Sequence, residues 1–405
     1  MNVTVEPGLL GGALSRLPSS KSHVHRLLIA AALCRRPKED REETRILCSG
    51  ENEDIGATVN CLQRLNAAII REGDGLKVIS SLLWPRQAAL SCGESGSTLR
   101  FLLPLCAAGP GEVTLTGRGR LTERPNGPYL EALRAHGAVI EGDSLPLTVR
   151  GGLRSGDYSL PGNVSSQYFT GLMFALPLLS GDSKLTYTSP LESVPYVELT
   201  LSVLRRFGIR VEKTENGWRI PGGQVYTSPG IAAAEADWSA AAFWLGANRL
   251  GSAVKLSGLD EHSFQGDKAV QKLLLQIGDE MDLRQTPDLM PVLSAVAAAV
   301  PGKTTRITGA ARLRLKESDR LTAMAEVIRA LGGSAEEAPD GLTVHGTRLR
   351  GGTVDGHGDH RVAMSAAIAA TVCAGPVTIL GAEAVNKSYP DFWRDFEQMG
   401  GRLHG

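Results

Sequence analysis

The sequence predicts an α/β protein of two domains, assembled from six similar units. Three observations carry this. The chain has 405 residues, more than a single ordinary core organises. Six segments each read as a one-faced helix that ends in Gly, or once in Asn, and is followed by a short strand. Six others, interleaved with them, read as a small polar helix start followed by an almost wholly apolar helix.

The first series is 59–71 (VNCLQRLNAAIIR), 129–141 (YLEALRAHGAVIE), 199–212 (LTLSVLRRFGIRVE), 269–282 (AVQKLLLQIGDEMD), 324–336 (MAEVIRALGGSAE) and 392–404 (FWRDFEQMGGRLH). Apolar residues recur at i, i+3 or i+4, so one face is buried, and the Gly supplies the left-handed residue that stops the helix. The repeat is roughly 55–70 residues long. The second series is 18–34 (PSSKSHVHRLLIAAALC), 93–107, 162–179 (GNVSSQYFTGLMFALPLL), 235–245 (EADWSAAAFWL), 286–300 (TPDLMPVLSAVAAAV) and 358–373 (GDHRVAMSAAIAATVC). A helix apolar on nearly every side is buried, so its one polar end must face something polar. Each unit is then a buried helix, a strand, an amphipathic helix and further strand, three units to a domain. If the buried helices run parallel, their N-termini share one end of each domain, where free N–H groups and helix dipoles attract anions. Two such ends facing each other would form an electropositive cleft. Pro18 and 221–229 (PGGQVYTSP) are candidate hinges.

Composition narrows the classes. Apolar residues make up 42% and charged residues 21%, as in a globular protein, and 43 basic residues balance 43 acidic ones. That balance gives no global pull toward nucleic acid or a membrane surface. The cysteines (34, 48, 61, 92, 106, 373) form no CxxC pair and no metal-ligand spacing, so reduced thiols in a cytoplasmic protein are expected. Cys92 reads as a packed side chain and not a nucleophile. The opening MNVTVEPG reads as a strand and not a signal peptide, and no apolar run reaches about 18 residues. The run 35–45 (RRPKEDREETR) reads as a solvated loop or outer face.

The residues able to do chemistry gather at the starts of the buried helices. In 92–101 (CGESGSTLRF) a glycine turn feeds a helix; small side chains let an anion approach the backbone, and Arg100 adds charge about one turn in. Lys21 and Arg26 belong to the first buried helix, and Arg124 to the turn LTERPNG. Ser165, Ser166 and Gln167 open the third, Asp288 the fifth, and Asp359, His360 and Arg361 the sixth. Arg314, Lys316, Glu317 and Arg320 crowd RLRLKESDR, and Lys387 follows Asn386. Singly, each has an ordinary structural reading: caps at Ser165 and Ser166, an N-terminal acid at Asp288, an ion-paired helix at KESDR, an interior histidine at His360, a surface amine at Lys387. Together, so many cations at helix starts imply one or two ligands with several negative charges. No Walker A, Rossmann GxGxxG, HExxH or GxSxG pattern occurs.

The ordered set SSKSHVHR, GESGSTLR, ERPNG, GNVSSQYFTGL, PD at 287–288, RLRLKESDR, DHR and NKSYPDF resembles the EPSP synthase family of enolpyruvyl transferases, from Ser19 to Phe392. The resemblance implies an inside-out α/β barrel in each of two domains, with six βαβαββ-type units. Domain I would be 1–18 plus 230–405 and domain II 19–229, with the active site in the cleft between them. It implies transfer of the enolpyruvyl group of phosphoenolpyruvate to the 5-hydroxyl of shikimate 3-phosphate by addition–elimination, the sixth step toward chorismate, with no metal or organic cofactor. By the same carry-over Asp288, Glu317 and Lys21 are catalytic, Asp288 serving the 5-hydroxyl and Glu317 the methylene carbon. Lys21, Gly96, Arg100, Arg124, Gln167, Arg320, Arg361 and Lys387 would hold phosphoenolpyruvate. Lys21, Ser22, Arg26, Ser165, Ser166, Gln167, Ser193, Tyr196, Asp288 and Lys316 would hold shikimate 3-phosphate. Partners are these two small molecules, with glyphosate as a candidate inhibitor beside Gly96; neither nucleic acid nor membrane is expected, and the chain is expected to be a monomer.

Two stretches depart from the family pattern. Glu94-Ser95-Gly96-Ser97 stands where the family often has Asn-Ala-Gly-Thr, placing a carboxylate beside an anion site. Arg312 stands where the family often has Asn, in doubt as a phosphate contact. The alternatives are an enolpyruvyl transferase acting on UDP-N-acetylglucosamine and a non-catalytic anion-binding protein of the same fold. The first commonly has a Cys in the loop here read as TGRGRLTERP, which has none; the second gains nothing from Asp288 and Glu317.

Overall fold

The structure, a computed structural model, describes residues 1–35, 42–50, 52–80 and 85–405. Most of the charged run at 35–45 lies outside the described residues; its end, Glu43–Leu47, is a strand. The chain divides into a split unit, Met1–Ser20 with Glu235–Gly405, and a continuous unit, Lys21–Ala234. The crossings fall slightly later than 18/19 and 229/230, and backbone pairing explains why. Ser20 N–H donates to the Glu235 carbonyl, and Ile231–Ala233 pairs with Glu43–Leu47.

The second series forms the interior. Lys21–Ala32, Gly96–Ala108 and Ser166–Ala175 are buried helices of the continuous unit, and Trp238–Arg249, Met290–Ala298 and His360–Ala370 those of the split unit. Each unit has its own apolar core around them. Glycines permit the closest approaches. A Cβ on Gly171 would stand 2.2 Å from the Arg100 carbonyl oxygen, so Ser166–Ala175 lies directly on Gly96–Ala108. A Cβ on Gly246 would stand 3.0 Å from Val292 and 3.7 Å from Ile368, where the split unit's buried helices meet.

The first series forms the outer helices Glu53–Arg64, Gly127–Ala135, Val194–Arg206, Val270–Leu273, Arg320–Ala330 and Phe392–Gln398. The expected stop residues all have positive φ: Asn66 (70°), Gly137 (90°), Gly208 (79°), Gly278 (107°), Gly332 (80°) and Gly400 (90°).

Among the described residues five sheets share one plan, in which an edge strand runs parallel to its neighbour and two antiparallel strands follow. In the continuous unit the orders are Ile231–Ala233, Glu43–Leu47, Gly75–Ile79, Ala68–Arg71; then Gln87–Ser91, Glu112–Thr116, Leu147–Val149, Ile140–Glu141; then Asp157–Leu160, Ser183–Tyr187, Gly217–Ile220, Glu212–Thr214. In the split unit they are Glu280–Asp282, Thr304–Thr308, Gly341–His345, Ser334–Ala338 and Gly352–Asp355, Val377–Leu380, Asn2–Glu6, Arg402–His404. The sixth sheet is only Ala253–Leu256 beside Gly11–Leu14. The six units are therefore not equal. After the short Val270–Leu273 helix and the 3₁₀ turn Leu274–Gln276 the next strand is Glu280–Asp282, which pairs with the next sheet, so this unit has no antiparallel pair of its own among the described residues.

Candidate active site

In the continuous unit, hydrogen bonds join the starts of the second and third buried helices. Arg100, 7% exposed, donates Nη1 to Gln167 Oε1 at 2.7 Å, Nε to Asn126 Oδ1 at 3.1 Å and Nη2 to the Pro125 carbonyl at 3.0 Å. Its guanidinium also lies over the Tyr168 ring, 5.4 Å from the centroid. Gln167 Nε2 donates to Ser97 Oγ at 3.0 Å, which closes the bridge between the second and third helix starts. Arg124 completes this cluster: a Cβ on Gly96 would stand 2.9 Å from Arg124 Nη1, 3.4 Å from Gln167 Oε1 and 3.7 Å from Arg100 Nη1. Gly96 thus keeps open a space walled by two guanidinium groups and one amide. The Gln167, Asn126 and Pro125 oxygens are uncharged, so these three orient the Arg100 guanidinium without cancelling its charge.

Lys21 opens the first buried helix and pairs through Nζ with Asp54 Oδ2 at 2.6 Å. Arg26 is buried and acts as an internal tie. Nε donates to Thr200 Oγ1 at 2.8 Å, Nη1 to the Ser22 carbonyl at 2.6 Å and Nη2 to the Tyr196 carbonyl at 2.9 Å. Burial lowers the affinity of this guanidinium for its proton. Ser165 caps its helix by accepting from Gln167 N–H, and Ser166 is buried in the first turn. Ser193 precedes Val194–Arg206 in a left-handed conformation, φ 57°, with its carbonyl bonded to Tyr196 N–H. Cys92 is fully buried; its contact with Cys61 and its burial push the thiol well up, which agrees with a packing role.

The split unit carries the carboxylates. Arg320, 1% exposed, holds three of them. Nη1 donates to Asp288 Oδ1, Nη2 to Glu317 Oε2 and Nε to Asp359 Oδ2, each at 2.8 Å. Arg361 reaches Asp288 through Nη2 to Oδ2 at 3.3 Å and Nη1 to the carbonyl at 3.2 Å. Lys316 Nζ is 3.9 Å from Asp288 Oδ1. Burial alone would raise the Asp288 pKa, but Arg361, Lys316 and Arg320 overcome it and hold the carboxyl well below its usual range. Asp359, wholly buried, caps His360–Ala370 through Arg361 N–H and accepts from Ser318 Oγ at 3.0 Å. Burial draws the Lys316 ammonium down to about 8, with Asp288 and Glu317 opposing the shift. Lys387 donates to the Gly358 carbonyl at 2.8 Å, beside the Asp359 cap.

The carboxylates expected at these helix starts are here, paired with the cations. Arg320 and Arg361 are matched by Asp288, Glu317 and Asp359, because a buried guanidinium requires its countercharge. Asp359 was visible as a helix-opening acid but not as the third arm on Arg320. Asp54 was missed altogether, with no local pattern to mark it, and Asn126 was quoted only within ERPNG, without a role. Glu94, the suspected intruder, lies against Gly119, where a Cβ would stand 2.8 Å from its Cδ. Arg312 donates Nη2 to the Arg284 carbonyl at 2.9 Å.

Helices inside, sheets outside and polar helix starts at one end of each unit define a class, the enolpyruvyl transferase architecture. The enolpyruvyl transferase NikO from Streptomyces tendae has this fold, with a TM-score of 0.79 over 100% of this chain and 98% of that one, at 17% identity. An EPSP synthase from Acinetobacter baumannii superposes with a TM-score of 0.82 over 100% of both chains, at 26% identity. The family model described as EPSP synthase (3-phosphoshikimate 1-carboxyvinyltransferase) matches residues 6–281 and 275–396. Proteins named 3-phosphoshikimate 1-carboxyvinyltransferase from Clostridium kluyveri and Clostridium acetobutylicum are 40% and 41% identical, over 99% of this chain and 98% of theirs. The chain belongs to the EPSP synthase family.

Proposed function

We propose that this chain transfers the enolpyruvyl group of phosphoenolpyruvate to the 5-hydroxyl of shikimate 3-phosphate, releasing phosphate, and that its two clusters serve this one reaction. The observation that carries the reading is the pair Asp288 and Glu317 on one guanidinium, in a chain that also builds an anion site from Gly96, Arg100, Arg124 and Gln167. Addition of the hydroxyl to C2 of phosphoenolpyruvate needs a proton delivered to C3 and one taken from the hydroxyl; elimination then takes a proton back from the C3 methyl as phosphate leaves C2. Glu317 is the proposed donor to C3. Asp288, held ionised, accepts from the 5-hydroxyl, and Lys21 bridges both substrates. Arg100, Arg124, Arg320, Arg361, Lys387, Gln167 and the Gly96 backbone would hold phosphoenolpyruvate and the charged tetrahedral intermediate. Ser22, Arg26, Ser165, Ser166, Gln167, Ser193, Tyr196 and Lys316 would hold shikimate 3-phosphate.

Phosphate release is the direct test, with shikimate 3-phosphate or UDP-N-acetylglucosamine as acceptor and excess EDTA present. Release with shikimate 3-phosphate alone supports the proposal and shows that no added divalent metal is needed. Release with the sugar nucleotide alone overturns the substrate. A monomer is the proposed working form. Its free cysteines accord with a cytoplasmic location. Among the described residues no helix is long and apolar enough to cross a membrane.

Two further results are expected. kcat/KM for shikimate 3-phosphate should fall as pH rises through about 8, as Lys316 loses its charge. Lys316→Arg should abolish that limb, because Arg stays charged; a flat wild-type profile to pH 9 would remove Lys316 from the binding set. Glyphosate, an anionic phosphonate, is a proposed occupant of the phosphoenolpyruvate space. Gly96→Ala drives a methyl against Arg124 Nη1 and should weaken glyphosate by roughly ten-fold or more, beyond any rise in KM for phosphoenolpyruvate. Unchanged inhibition would place glyphosate elsewhere.

A further inference from the structure

A chain of side-chain hydrogen bonds runs through the core of the continuous unit and ends at the anion turn. His25 Nδ1 lies 2.8 Å from Thr58 Oγ1. Thr58 Oγ1 lies 2.6 Å from Thr98 Oγ1. Thr98 Oγ1 donates to Ser95 Oγ at 2.8 Å, and Ser95 Oγ also accepts Thr98 N–H at 3.2 Å, capping Gly96–Ala108. Thr58 and Thr98 are wholly buried, with His25 at 1% and Ser95 at 2% exposure.

The polarity of the chain follows from counting protons. A hydroxyl has one to donate. Thr98 gives its proton to Ser95, so Thr58 must donate to Thr98. The Thr58 proton is then engaged, so His25 must donate from Nδ1. Nε2 is left as a lone pair, and it is buried without a hydrogen-bond partner among the described residues. The surroundings suit a neutral ring. Lys21 and Arg26 flank it with positive charge, and Phe101 meets it edge-on with centroids 6.5 Å apart. Burial, then those two cations, keep the imidazole pKa well below its usual range.

Of the three helices joined by this chain, one carries Gly96 and Arg100 of the anion site and the other two hold the Lys21–Asp54 pair. Lys21 and Arg26 stand on the first, Asp54 (the partner of Lys21) on the second, and Gly96 and Arg100 on the third. Apolar packing tolerates small slips, whereas a buried directional chain leaves polar atoms unmet if one helix shifts. We infer that His25, Thr58 and Thr98 are positioning residues: their polarised hydrogen-bond chain holds the Lys21 helix in register with the Gly96 turn. The proposed enolpyruvyl-transfer reading is the premise of this inference.

Thr58→Val and Thr98→Val keep the volume and break the chain, while Thr58→Ser and Thr98→Ser keep the hydroxyls. The Val variants should lower kcat/KM for phosphoenolpyruvate by about five- to ten-fold, chiefly through KM, with the Ser variants within about two-fold of wild type. Nitrogen-15 NMR of the wild-type histidines reads the chain without any substitution. It should show His25 protonated on Nδ1, bare on Nε2 and not titrating between about pH 5 and 8. An Nε2–H tautomer, a ring titrating in that range, or Val variants with unchanged KM in an active enzyme would each overturn the inference. An inactive wild-type enzyme would overturn the catalytic reading instead. Calorimetric binding of phosphoenolpyruvate to the same variants would then test the positioning role, with equal affinities refuting it.

Discussion

Glu317→Gln is expected to bind both substrates and turn them over about 10²–10⁴-fold more slowly. The substitution keeps size and an oxygen able to accept from Arg320 Nη2, which donates to Glu317 at 2.8 Å, and removes the transferable proton. The cluster around it should therefore stand, with Asp288 and Asp359 still on the same guanidinium. The measurement is kcat and KM for each substrate beside direct binding of shikimate 3-phosphate. A loss confined to kcat assigns Glu317 to proton transfer; binding lost together with kcat would make it a structural arm of Arg320.

The other large effect is expected at Arg320 itself. Arg320→Met leaves Asp359, wholly buried, and two mostly buried carboxylates without the cation between them. Removing one partner of a buried ion pair costs about 3–5 kcal/mol. The pH dependence should also change sign. In the wild type Asp359 is depressed, opposed by burial and driven chiefly by Arg320, so it contributes stability above the ordinary carboxylate range that is lost as pH falls through its folded value. In the variant, burial should raise the Asp359 pKa above its unfolded value. Acid should then relieve the stranded charge. Urea unfolding of Arg320→Met should give a higher midpoint at pH 5 than at pH 7, with the wild type level or falling. A variant as stable as wild type at pH 7 would show that the cluster contributes nothing to the fold.

What could be read from the chain alone was whatever is decided locally. The six helix stops were legible because a residue at positive φ is a local demand, met by Gly at Gly137, Gly208, Gly278, Gly332 and Gly400 and by Asn at Asn66. The buried helices were legible because all of Met290–Ala298 and all of His360–Ala370 are core. Partners far along the chain were not. Asp359 is 39 residues from Arg320 and Asp54 is 33 from Lys21, and no periodicity links positions that only tertiary packing joins. The shortened sixth sheet was hidden for the same reason: 269–282 does end in a strand, but its hydrogen-bond partner, Thr304–Thr308, decides which sheet it joins. The residue roles came from resemblance to a family and not from spacing, and local geometry adds constraints that resemblance lacked, such as Arg26 already engaged by Thr200, Ser22 and Tyr196.

The strand Asn2–Glu6 lies between Val377–Leu380 and Arg402–His404, pairing with both. A ribosome makes this strand long before either of its two neighbours. The continuous unit, Lys21–Ala234, has all its own strands and helices once Ala234 has emerged, and can fold while synthesis proceeds. The split unit cannot close its last sheet until almost the whole chain exists. For that interval Asn2–Glu6 has two bare hydrogen-bonding edges, the state in which strands pair with the wrong chain. Val3 and Val5, buried in the finished fold, are exposed over the same interval. The order of translation thus concentrates a misassembly hazard in Asn2–Glu6, a long way in sequence from Glu317 and Arg320 and in the same unit as both.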